Sequence, residues 1–182
     1  MSKDISLDFM LPVQEVERDG RSYRLEASEA ELAALAERFN LIEFGSLKAD
    51  IEVKDRGAEQ GIFVTGTLDA AFTQRCIVSL EPVAEEMSTS FELMLVDEAT
   101  ADRMDAEEVY LDDDAPEYDA LEGDMIPLGE IVAQTVSINM NPYPRAEDAE
   151  LNVGNKKNIS VNEEELKKPN PFAVLDKLRK ES

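Results

Sequence analysis

The chain has 182 residues, 41 of them acidic against 18 basic, with no histidine and one cysteine, so its formal net charge is -23 and its pI is near 4.2. A hydrophobic content of 43% is enough for one core, and a single domain with a tail is expected. One cysteine excludes an internal disulfide and fits a reducing compartment; the missing imidazole excludes serine–histidine and cysteine–histidine catalysis and most zinc sites; and the acidity argues against general binding to a phosphate backbone or membrane, because affinity for such surfaces comes from Lys and Arg.

The opening MSKDISLDFM places Lys3 and Asp4 before a short mixed stretch. No apolar run approaches the roughly 18 residues that a spanning helix needs, so a cytoplasmic location is expected. Ile5 to Val16, the Asp19-Gly20 turn and Arg21 to Glu26 predict an antiparallel hairpin. Ser28 with Glu31 three residues on reads as a capping box, ahead of Leu32, Leu35, Ala36 and Phe39 at helical spacing. A helix is expected from about Glu29 to Phe39.

Period-two alternation follows. Leu47, Ala49, Ile51 and Val53 share one face, and beyond the Asp55 to Gly61 turn so do Ile62, Val64, Leu68, Ala70 and Phe72, which predicts a second strand pair. Cys76, Val78 and Leu80 extend the alternation to Glu81-Pro82, and Phe91, Leu93 and Leu95 resume it. From Asp97 to Asp124 thirteen acidic residues stand against Arg103 alone. Such a run resists burial, so a mobile loop is expected, with room for a short helical turn around Ala99 to Met104.

After Met125, Pro127 suits the first position of a helix whose stripe is Leu128, Ile131, Val132, Thr135 and Ile138. Asn141-Pro142-Tyr143-Pro144 ends it. The remainder is polar until Pro169-Asn170-Pro171-Phe172-Ala173-Val174-Leu175-Asp176-Lys177-Leu178-Arg179-Lys180. There the charge reverses: Lys167 to Lys180 carries five basic residues and one acidic. Asn170 can cap, and Phe172, Val174, Leu175 and Leu178 form an apolar stripe. A helix this short is marginal alone in water and is expected to form on docking.

No motif specifies an active site. Gly57, Gly61 and Gly66 lack the lysine of a phosphate loop and read as turn and strand glycines. Asp112-Asp113-Asp114 lacks the alternate ligand spacing of a calcium loop and reads as a solvated charge run. Cys76 reads as a small buried side chain on a strand. Carboxylates are too abundant for any pair to be singled out, and no enzyme activity, cofactor or metal is expected.

Three stretches together resemble the large ribosomal RNA subunit accumulation proteins, the YceD-like family. They are Thr73-Gln74-Arg75-Cys76 with Leu80-Glu81-Pro82, Asp124 to Glu130 with Asn141-Pro142-Tyr143-Pro144-Arg145, and Lys168 to Leu175. The resemblance covers the chain from about residue 73 to the end. It implies a role in accumulation of large-subunit ribosomal RNA, and hence in ribosome assembly, without enzymatic activity. Relatives often carry a Cys-x-x-Cys where this chain has Thr73 and Cys76, and a further cysteine within the stretch that reads Ala146 to Leu151 here. One thiol without an imidazole cannot complete a tetrahedral site.

The expected architecture is α+β: a mostly antiparallel sheet with two packed helices and the acidic loop at about 97–124 make up a domain of residues 1–144. A partly disordered tail, 145–182, ends in a helix motif at 170–180. The expected function is assembly, by binding a basic ribosomal protein or a large-subunit assembly intermediate. Pro169, Asn170, Pro171, Phe172, Val174, Leu175, Lys177, Leu178, Arg179 and Lys180 are the expected contacts, with Arg75, Cys76 and Arg145 secondary. The alternative is direct contact of ribosomal RNA through the basic carboxy-terminal segment.

Overall fold

Alternation in the middle of the chain becomes three long strands. In the computed structural model, which describes residues 2–57, 60–106, 117–147 and 149, β1 (Lys3–Ile5), β3 (Arg21–Glu26), β4 (Glu43–Asp55), β5 (Ile62–Arg75), β6 (Pro82–Val96) and β7 (Glu117–Ala120) form one sheet, ordered β1-β3-β4-β5-β6-β7. The inner pairings are antiparallel, and the two edge strands run parallel to their neighbours. β2 (Met10–Pro12) and β8 (Met125–Pro127) make a separate antiparallel pair. The helices are α1 (Glu29–Arg38), α2 (Glu98–Ala106) and α3 (Leu128–Asn139).

Because side chains alternate across a strand, one face of the sheet is apolar. Tyr23, Leu25, Leu47, Ala49, Ile51, Val53, Val64, Leu68, Ala70 and Phe72 meet Leu35 of α1, Leu128, Ile131, Val132 and Val136 of α3, and Leu11 and Ile126 of the small sheet in one core. Each fully buried aliphatic side chain is worth roughly 1.5–3 kcal/mol before entropy is counted. The opposite face is largely polar and exposed, with the cross-strand ion pairs Arg24–Asp50 (3.0 Å) and Lys48–Glu26 (2.8 Å), but at its far end Phe63 of β5 and Val96 of β6 are buried on it. Among the described residues no polar or charged side chain is buried.

The capping box forms as the spacing implies: the Ser28 amide donates to Glu31 Oε2 (2.8 Å) and the Glu31 amide to Ser28 Oγ (3.4 Å). Glu31 Oε1 also accepts the Leu7 amide at 2.8 Å, which ties the first loop to α1. Hydrogen bonds from Ser28 hold the Glu31 carboxyl below its ordinary value. Phe39 is the C-cap, and Asn40 then takes a left-handed φ of 55°. The Arg38 guanidinium clamps Glu130 of α3 in a bidentate pair at 2.6 and 2.7 Å.

Four expectations are corrected. The first hairpin does not form: β1 lies parallel to β3, while β2 leaves to pair with β8. Pro12 lacks an N–H and a 3-10 turn follows at Val13–Glu15, so the chain ahead of Asp19-Gly20 cannot continue as a ladder partner of β3. Ile138 is 78% exposed, because it lies in the last turn of α3, beyond Val136, the last residue of that helix to be buried.

The acidic segment is not a loop throughout: the helical turn expected around Ala99 to Met104 is present and extends to the full helix α2, and the edge strand β7 was not expected. Asp97 explains the helix: its carboxylate accepts the Thr100 amide (3.0 Å) and hydroxyl (2.8 Å), and a carboxylate at a helix start is favourable. Cys76 is the fourth correction. β5 ends at Arg75, so Cys76, Val78 and Leu80 form a loop and do not continue the strand. Residues 107–116, including Asp112 to Asp114, and 151–182, including the tail's helix motif, lie outside the described residues.

Candidate functional site

The loop joining β5 to β6 is closed by two backbone bonds, Cys76 N–H to Glu81 O at 2.8 Å and Leu80 N–H to Cys76 O at 3.0 Å. The segment after α3 packs against it through Ile77 N–H to Pro144 O at 3.0 Å. Cys76 is buried at this junction. Its sulfur accepts the amides of Val78 (3.4 Å), Ser79 (3.3 Å) and Ala146 (3.5 Å). Hydrogen bonds from Ser79, side chain and backbone, followed by the Ala146 amide, lower the thiol from 9.0 to about 6. A thiolate bound by N–H donors is favoured over the thiol.

Around this buried anchor the surface is apolar. Ile77 (54%), Leu80 (66%) and Tyr143 (71%) are exposed. Leu80 also holds a left-handed φ of 66°, a conformation that costs a residue bearing a Cβ roughly 1–2 kcal/mol. Gln74 Oε1, two residues before Cys76, is enclosed without a hydrogen-bond partner among the described residues. Arg75 and Arg145 flank the cluster and are exposed.

Among the described residues no group of three or more His, Cys, Asp or Glu is placed to hold a metal ion. A groove of about 340 Å³ between α1 and α3 is lined by both partners of the Arg38–Glu130 pair, which makes it a seam of the fold. No helix among the described residues is long and apolar enough to cross a membrane.

A family model described as large ribosomal RNA subunit accumulation protein YceD matches residues 64–179, more than half of the chain. The chain belongs to the YceD family. The YceD match begins in β5 and takes in the Cys76 loop, β6, α3 and the Pro142-Tyr143-Pro144 segment, while β1 to β4 and α1 precede it. Comparison with the curated proteins and with the solved structures gives no significant match.

Of the expected contacts, Arg75, Cys76 and Arg145 are brought to one end of the sheet, by the bond from Ala146 N–H to the Cys76 sulfur. Pro169, Asn170, Pro171, Phe172, Val174, Leu175, Lys177, Leu178, Arg179 and Lys180 lie outside the described residues. Ile77, Leu80 and Tyr143 were not expected there. Alternation disguises the first two as strand residues. Tyr143 carries a legible signal, since prolines on both sides hold the backbone extended and keep it out of a helix.

Proposed function

We propose that this chain is a non-enzymatic ribosome-assembly factor, required for accumulation of large-subunit ribosomal RNA, that acts by binding a basic ribosomal or assembly protein. The carrying observation is the display of charge: the chain is at -23, and among the described residues every charged side chain is outside the core. Such a field repels nucleic acid and attracts and steers a basic protein. The YceD match sets the process. The domain of residues 1–144 presents the acidic surface and the Cys76 end, and the tail of residues 145–182 supplies a second contact through Phe172 to Lys180. Its place of work is the cytoplasm, where ribosomes assemble.

Depleting the protein from cells is expected to lower the ratio of large- to small-subunit ribosomal RNA, and an unchanged ratio would refute the role. Deleting Lys168 to Ser182 is expected to weaken partner capture. The reversed charge of Lys167 to Lys180 favours one second reading, direct ribosomal RNA binding by the tail. A gel-shift with purified ribosomal RNA at low salt decides it: a shift lost on deletion of the tail supports it, and no shift removes it.

A further inference from the structure

β6 is 15 residues long, but β7 pairs only with Leu93 to Val96. Among the described residues the edge from Pro82 to Glu92 has no strand beside it. The direction of its backbone groups follows from one bond. Cys76 N–H to Glu81 O makes 76 and 81 a hydrogen-bonded pair, and the register from Arg75–Pro82 to Ile62–Leu95 is continuous. Hydrogen-bonded pairs recur at every second residue of an antiparallel ladder. Val83, Glu85, Met87, Thr89 and Phe91 therefore bond to β5, while Ala84, Glu86, Ser88, Ser90 and Glu92 turn their N–H and C=O groups outward.

We propose that this edge of β6 is a strand-addition site for an extended basic segment of the partner protein. The inference rests on the basic-partner reading above and names the surface that would serve it. Added strands gain affinity from main-chain bonds and specificity from alternate side chains. Glu85, Glu86 and Glu92 lie in the strand and Glu81 just before it, with no Lys or Arg from Pro82 to Val96. On the core side Val83, Met87 and Phe91 are only half-buried, so the incoming strand would alternate basic residues with apolar ones. Open edges are commonly blunted by lysine, proline or bulges. β6 has no proline after Pro82 and pairs with β5 without a break in register. A second copy fits poorly, because antiparallel pairing of two β6 edges sets glutamates near glutamates, and like charges across strands are destabilising.

The test uses the full chain and a fluorescent dodecapeptide alternating lysine with valine or threonine. A second peptide of the same sequence is N-methylated at every residue, which keeps the charge and removes the donors of both its edges. Binding is followed by anisotropy and by amide hydrogen exchange. The wild-type chain is expected to bind the first peptide at least tenfold more tightly than the second. Exchange at the amides of Glu86, Ser88 and Ser90 is expected to slow at least tenfold on binding. Ser88→Pro removes an outward N–H and leaves the ladder to β5 intact, so it is expected to cost at least tenfold in affinity.

Equal binding of the two peptides overturns the proposal, and this arm uses the unaltered protein whether or not Ser88→Pro folds. Equal affinity of folded Ser88→Pro, or no change in exchange along β6, overturns it too. In those cases a basic protein recovered with the wild-type chain from lysate keeps the basic-partner reading. Failure to bind the peptide together with failure to recover any basic protein removes both.

Discussion

Gly129→Ala tests how the described elements are locked together. Gly129 sits in the first turn of α3, where an added Cβ would stand 1.9 Å from the carbonyl oxygen of Leu7, 2.5 Å from its carbonyl carbon and 2.6 Å from its Cα. Real Cβ contacts essentially never fall below 3.0 Å, so α3 and the Leu7 backbone must separate by about 1.5 Å to reach van der Waals contact. That movement pulls the Leu7 amide from Glu31 Oε1, now 2.8 Å away, and a hydrogen bond to a charged group contributes roughly 1.5–3 kcal/mol. Overpacking adds about 1–3 kcal/mol. Alanine returns about 1 kcal/mol through its better helix propensity. The expected net destabilisation is about 1.5–5 kcal/mol. Urea unfolding followed by circular dichroism should show a lower midpoint with an unchanged slope, while exposed Ser137→Ala in the same helix stays within about 0.5 kcal/mol of wild type. A Gly129→Ala protein as stable as wild type, or more stable, would refute the close approach of α3 to Leu7.

Leu25 is fully buried between the helices and the sheet, and Leu25→Ala is expected to cost about 2–5 kcal/mol in the same assay. Leu80→Gly should release left-handed strain and stabilise by about 0.5–1 kcal/mol, while weakening partner capture. Glu130→Gln should cost about 0.5–1 kcal/mol at neutral pH, because the Arg38–Glu130 pair is part-exposed. Arg38 lowers the Glu130 carboxyl from 4.5, so the ion pair's contribution is full above that value and is lost as pH falls through the lowered one; the gap between wild type and variant should close in acid. Cys76 is lowered from 9.0 to about 6, so its contribution is full above pH 9 and is lost as pH falls towards 6. Unfolding curves of wild type and Cys76→Ala should therefore diverge as pH rises across that window, and parallel curves would contradict a hydrogen-bonded thiolate.

Where a local rule has one physical outcome, the sequence was readable. Ser28 and Glu31 can satisfy each other's orphan amides, and they do. Two alternating runs around a glycine-bearing turn became β4 and β5 because only that register buries both apolar faces. Failures came where a non-local partner decided the outcome. β2 pairs with β8, more than a hundred residues away, and no local pattern announces that choice. Cys76, Val78 and Leu80 alternate like a strand, yet Glu81 turns the chain by accepting the Cys76 amide. Of the candidate site, Arg75, Cys76 and Arg145 were named from the sequence and lie at one end of the sheet, but the exposed apolar trio beside them depends on the loop geometry that alternation conceals.

The measurement closest to the proposed function is a tagged pull-down from nuclease-treated lysate, run beside sucrose-gradient fractions of the untreated lysate. Co-sedimentation with large-subunit precursors, together with a basic ribosomal or assembly protein that stays bound after nuclease, is the expected result. Migration at the top of the gradient, with no basic protein recovered, would contradict an acidic assembly factor that works through a protein partner.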